Sequence, residues 1–161
     1  MKYKKTLFIA YAAMIAAIYV ILTSIFAPFG FGEIQVRVAE ALTILPAFTS
    51  AAIPGLFIGC LIGNILGGAI LPDIIFGSLA TLIGAVFVFL LRRKNKYVLP
   101  LAPVLSNSLI IPFILRFGYG VNLPIPFLML SIGIGEILSC GVLGMLLYNA
   151  LSKYRHTLFR F

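Results

Sequence analysis

QVRVAEALTILPAFTSAAIPGLFIGCLIGNILGG, from Gln35 to Gly68, is the stretch whose reading decides the fold. As one helix at 1.5 Å per residue it would run about 50 Å, far beyond a hydrocarbon core of about 30 Å. Pro54-Gly55 stands in its middle as a turn signal. The stretch is therefore expected to fold as a re-entering pair of short helices, one from about Val38 to Ile53 and one from about Gly55 to Ile70. Halves this short belong inside a bundle or in a locally thinned membrane. Arg37 and Glu40 open the stretch at helical spacing as a candidate ion pair, with Glu33 a second carboxylate four residues before Arg37. Gly55, Gly59, Gly63 and Gly67 lay a bare stripe along one helix face, where a neighbouring backbone or a flat ligand can come close.

The surrounding chain has the composition of a membrane protein. Of its 161 residues 62% are hydrophobic and 10% charged, and the mean hydropathy is +1.16, whereas soluble domains carry about 25% charged residues. At about 20 residues per span there is room for five or six helices in a single membrane domain, 1–161, with no soluble catalytic module.

The net charge of +8 is explained by topology and not by nucleic acid. Lys2, Lys4 and Lys5 precede the first apolar run, Arg92, Arg93, Lys94 and Lys96 sit between runs, and Lys153, Arg155 and Arg160 follow the last. These ten of twelve basic residues form three clusters of the kind kept on the cytoplasmic side. With six helices and both termini inside, only Arg37 and Arg116 fall outside, while a five-helix reading gives at best eight to four. The first run, Thr6 to Phe26, is nearer a full span than the 7–15 residues of a signal-peptide core and is read as helix 1.

The remaining helices follow from apolar runs and their punctuation. Pro72-Asp73 opens helix 4, which runs to Leu91, with Asp73 placed to cap it. Helix 5 is expected over about Val98 to Leu115 and helix 6 over about Phe127 to Leu151, joined by a loop rich in Gly, Asn and Pro. Trp is absent, so interfacial anchoring falls to tyrosines such as Tyr3, Tyr97, Tyr148 and Tyr154. Cys60 and Cys140 are read as small apolar packers, and His156 as a solvated tail residue.

Polar residues inside such spans are expensive, so they mark a site unless they pair among themselves. Arg37, Glu40, Asn64, Asp73, Asn107 and Glu136 are expected to meet in the outer half of one bundle, forming a pocket open to the exterior. Pairing of Arg37 with Glu40, a plain capping role for Asp73 and interhelical bonding by Asn107 are the plainer alternatives. Glu136, about nine residues into a span, needs a partner or a proton. Acids outnumber bases here, which suits a cationic or N–H-rich ligand, for instance a flat guanine-like heterocycle. Phe29, Phe31 and Tyr119 are candidates to stack on it.

Ala12, Ala13, Ala16 and Ala17 on helix 1 give two overlapping small-xxx-small pairs, a face for internal packing or for docking another membrane subunit. The chain has no GxxxxGK[ST] phosphate loop, HExxH or GxSxG, so neither ATP hydrolysis, metal binding nor covalent catalysis is expected of it.

Five blocks resemble the QueT family of substrate-binding S components of energy-coupling-factor (ECF) transporters: GEIQVRVAEALTILP from Gly32, IPGLFIGCLIGNILGG from Ile53, PDIIFGSLATLIGA from Pro72, LAPVLSNSLI from Leu101 and IGIGEILSCGVLG from Ile132. One departure is Ala39, where a serine is expected before the glutamate. The resemblance implies an all-α, six-helix S component in a prokaryotic cell membrane. It would capture a queuosine precursor, a deazaguanine-type base, from outside and dock on a transmembrane coupling subunit bearing two ATPases, through the helix 1 alanines. No cofactor would belong to this chain, ATP being used by the partners. Another vitamin or small metabolite as cargo, or a stand-alone channel or facilitator, are the alternatives the residues leave open.

Overall fold

The computed structural model describes residues 2–26 and 36–155, leaving out the side chains of Lys2 and Tyr3. Phe29, Phe31, Glu33, His156 and Arg160 lie outside the described residues. Within them the chain folds into six helical segments without a strand. They are α1 (Lys2–Ile25), α2 (Val38–Ala47), α3 (Ala52–Leu66), α4 (Asp73–Leu91), α5 (Lys96–Gly118) and α6 (Ile125–Ser152). Four of these, α4, α5, α6 and most of α1, are long and apolar enough to cross a membrane, while α2 and α3 are shorter apolar helices.

The distribution of side chains is that of a multi-pass membrane protein. Ile9, Leu66, Leu71, Leu90 and Leu130 are each more than 60% exposed, whereas Glu40, Asn64, Asp73, Asn107 and Glu136 are all at or below 3%. Lipid solvates the first set, and the second must satisfy its polarity inside the bundle.

The division of the 35–68 stretch is as expected, but its geometry differs in two ways. First, α2 is a ten-residue 3-10 helix and not the first part of an α-helix reaching Ile53. Two local features favour i→i+3 bonding: Pro46 inside the segment has no N–H to give to Leu42, and the Thr43 hydroxyl donates to the Glu40 carbonyl at 2.6 Å. At about 2.0 Å per residue the segment reaches about 20 Å, longer than an α-helix of ten residues would. Second, the break falls at 48–51, where the Thr49 hydroxyl accepts the Ala51 N–H at 3.2 Å. Pro54 is the third residue of α3, where a helix needs no donor, so it starts the helix instead of breaking it. The far end of α3 falls at Leu66, short of Ile70, because Gly68 takes a φ of 73° and turns the chain.

Nine of the ten α2 residues are buried, and α2 touches α1, α3, α4 and α6, which makes it an inner post. The glycine stripe of α3 lies directly on α1. A Cβ on Gly55 would come within 2.7 Å of the Ala12 carbonyl oxygen, and one on Gly59 within 2.8 Å of Tyr19 Cβ and 3.1 Å of Ala16. Between the two possibilities the stripe left open, a neighbouring backbone is what occupies it.

Three long helices also contain widened π-type turns, at Asp73–Gly77, Ile114–Gly118 and Ile137–Leu143. Such turns are common where helices carry functional groups, and the first and third of these hold Asp73 and Cys140.

Gly59→Ala must push α1 and α3 apart and is expected to lower stability by about 1–3 kcal/mol. Gly141→Ala, whose new Cβ would sit 3.6 Å from Ile137 in ordinary contact, is expected to leave it nearly unchanged. Thermal unfolding of the two purified variants in detergent checks this.

Candidate functional site

Burial dictates what the site looks like, because a carboxylate withdrawn from water must find donors within the bundle. Glu40 projects from the post α2 and is fully buried. Its Oε1 accepts from the Tyr19 hydroxyl of α1 and from Thr81 Oγ1 of α4 at 3.1 Å. Its Oε2 is buried and has no hydrogen-bond partner among the described residues. Thr81 also reaches Cys60 Sγ on α3 at 3.4 Å, so four helices meet around this one side chain.

Glu136 on α6 comes to the same place. Cys140, one turn on, donates to Glu136 Oε2 at 3.1 Å, and Asn107 on α5 is hydrogen-bonded to the same carboxylate. A carboxylate oxygen from each of Glu40 and Glu136 and the Cys140 sulfur lie within 4.8 Å of one another. Cys140 also contacts the Glu40 carbonyl and Thr43 Oγ1, each at 3.4 Å.

Arg37, Asp73 and Asn64 form an adjoining group. Arg37 precedes α2 in extended backbone and reaches Asp73 Oδ2 at 3.5 Å. The Glu40 N–H donates to the Arg37 carbonyl at 2.9 Å. Asp73 is the first residue of α4, directly after Pro72 at the N-cap position. Its Oδ2 accepts from the Tyr119 hydroxyl at 3.0 Å, and that hydroxyl in turn receives the Ile70 N–H at 3.4 Å. Tyr119 is thereby a latch between the α5–α6 loop and the start of α4. Burial, helped by the Asp73 charge, pushes its phenol above the ordinary value, so it stays a donor at neutral pH. Asn64 donates to the Asp73 carbonyl at 3.3 Å, and Gly77 leaves room for both side chains, since a Cβ there would lie 2.7 Å from Asp73 Oδ1.

The six polar residues singled out from the sequence thus fall into two adjoining groups, five of them buried and Arg37 half-buried, built from α2 to α6 and the connections next to them. Three participants were not singled out from the sequence. Tyr19 and Thr81 sit in apolar runs, and Cys140 reads as a packer but lies in the cluster. A tyrosine in mid-span is the signal that was available, since its hydroxyl must find a partner when buried.

The helix 1 alanines separate. Ala12 and Ala16 pack on Gly55 and Gly59 of α3, whereas Ala13 and Ala17 are exposed. A groove of about 460 Å³ between α4 and α5, bordered by Pro72, Phe76, Leu109, Phe113 and Phe117, carries no hydrogen-bonding side chain and lies apart from the acids.

A family model described as QueT transporter matches residues 9–153. The chain belongs to this family. It is also similar to the queuosine precursor transporter QueT of Lactococcus lactis subsp. cremoris (strain MG1363), with 40% identity over 85 residues. That match takes in 52% of this chain and 50% of the relative, so the chain spans about half the length of the curated protein it matches. No solved structure matches the chain. The matched region of the QueT family model includes every residue of the two polar groups, from Tyr19 to Cys140.

Asp73→Asn breaks a buried charge pair and is expected to cost about 3 kcal/mol or more, whereas Tyr119→Phe removes the bond to the carboxylate and the weaker one from Ile70 N–H at a partly exposed hydroxyl and is expected to cost about 1.5 kcal/mol. Thermal unfolding in detergent ranks the two.

Proposed function

We propose that this QueT-family protein is the substrate-binding subunit of an ECF-type importer, taking a deazaguanine-type queuosine precursor from the exterior. The observation that carries the reading is the convergence of Glu40 and Glu136, from separate helices, with Cys140 within 4.8 Å. Two carboxylates in one buried place are costly unless they share a proton or something rich in N–H donors is bound there, and a donor-rich ligand is the occupant this reading adopts. The substituted pyrimidinone edge of a deazaguanine presents such donors, and Asn64 and Asn107 are suited to its carbonyl and ring nitrogen. The name of the Lactococcus relative supports this cargo.

In this reading Glu40 and Glu136 accept the base's N–H groups, Arg37, Asn64, Asp73 and Asn107 orient it, and both termini lie in the cytoplasm beside the basic clusters. Transport energy comes from two ATPases on a coupling subunit, since the chain has no phosphate loop of its own. Ala13 and Ala17, exposed on α1, are the part of the alanine face left for that subunit.

Removing a carboxylate that accepts charge-assisted bonds is expected to cost about 1.5–3 kcal/mol, or about 10- to 100-fold in affinity. Glu40→Gln and Glu136→Gln are each expected to show this loss when titrated calorimetrically with 7-deazaguanine in nanodiscs. Parent-like affinity in both variants would remove the two acids from the binding role.

A further inference from the structure

A guanine-like edge is usually matched to one carboxylate, whose two oxygens take two parallel N–H bonds. The geometry around Glu40 does not permit that arrangement. Tyr19 from α1 and Thr81 from α4 both donate to Oε1, which leaves Oε2, buried and unpartnered among the described residues, as the acceptor on offer. Both donors are fixed by their own packing. Tyr19 is 2% exposed, with its Cβ against the Gly59 position, and Thr81 is 1% exposed, its one hydroxyl proton shared between Glu40 Oε1 at 3.1 Å and the Gly77 carbonyl at 3.3 Å. A carboxylate held by two donors on one oxygen cannot turn to present both.

We propose that Tyr19 and Thr81 are positioning residues that set specificity, holding Glu40 so that Oε2 takes a single ligand N–H while the adjoining Glu136 takes the other. This rests on the function proposed above and adds to it the way the ligand edge is divided. Two donors read by two acids on different helices make the site demand both. A base lacking the exocyclic amine leaves one buried carboxylate oxygen unpaired, and such unpaired groups discriminate more strongly than a missing contact does. Freed from Tyr19 and Thr81, Glu40 is able to turn and satisfy itself elsewhere, and the discrimination falls.

The test compares 7-deazaguanine with 7-deazahypoxanthine, which lacks the exocyclic amine, by calorimetry on the full chain in nanodiscs. The parent is expected to prefer 7-deazaguanine by about 10- to 100-fold. Tyr19→Phe combined with Thr81→Val is expected to reduce that ratio to about threefold or less, and Thr81→Ser, which keeps the hydroxyl, to preserve it. Should the double variant fail to fold, Tyr19→Phe alone reads the same ratio and is expected to lower it. Variants without the donors that keep the parent's ratio overturn the positioning role and leave the function standing. A parent that binds neither base overturns both.

Discussion

Glu40 is the constraint on which the rest of the structure depends. An ionisable side chain at zero exposure in a low-dielectric bundle needs donors from its surroundings, and no single helix can supply them. Tyr19 comes from α1 and Thr81 from α4, and Cys140 of α6 contacts the Glu40 backbone carbonyl, so the helices must close around α2 for the carboxylate to be accommodated. The 3-10 form of α2 follows the same logic. Its slimmer, longer course lets ten residues act as a buried post, and Thr43 ties the Glu40 carbonyl into the same network.

Close packing makes this possible. The absence of side chains at Gly55 and Gly59 brings α1 onto α3 backbone to backbone, which puts the Tyr19 ring where its hydroxyl meets Glu40. Gly77 does the equivalent for Asp73 and Asn64. The small residues of this chain therefore serve the polar cluster at one remove, and the alanine face of α1 is shared between that packing and its exposed side. The latch formed by Tyr119, Asp73 and Ile70 joins the α5–α6 loop to the α3–α4 connection at the same end.

Much of this was legible in the sequence because membrane burial makes polar residues conspicuous. Arg37, Glu40, Asn64, Asp73, Asn107 and Glu136 stand out against apolar runs, and five of them are buried with Arg37 half-buried beside Asp73. The six helical segments followed from run length and punctuation. The helix type of α2 was not legible, because a segment buried all round has no periodicity to separate 3-10 from α. Pro54 misled for a positional reason: the same residue ends a helix in its interior and begins one in its first turn. Tyr19, Thr81 and Cys140 were hidden by their composition class, since each passes for an apolar or neutral packer until its hydroxyl or thiol is seen to face a carboxylate.

The most direct test of the central claim is a structure of the full chain bound to a deazaguanine base, read for the partners of its N–H groups. The account predicts Glu40 Oε2 and a Glu136 oxygen each at about 2.7–3.0 Å from a different ring-edge nitrogen. A base seated in the apolar groove between α4 and α5, or one whose donors meet neither glutamate, would contradict it.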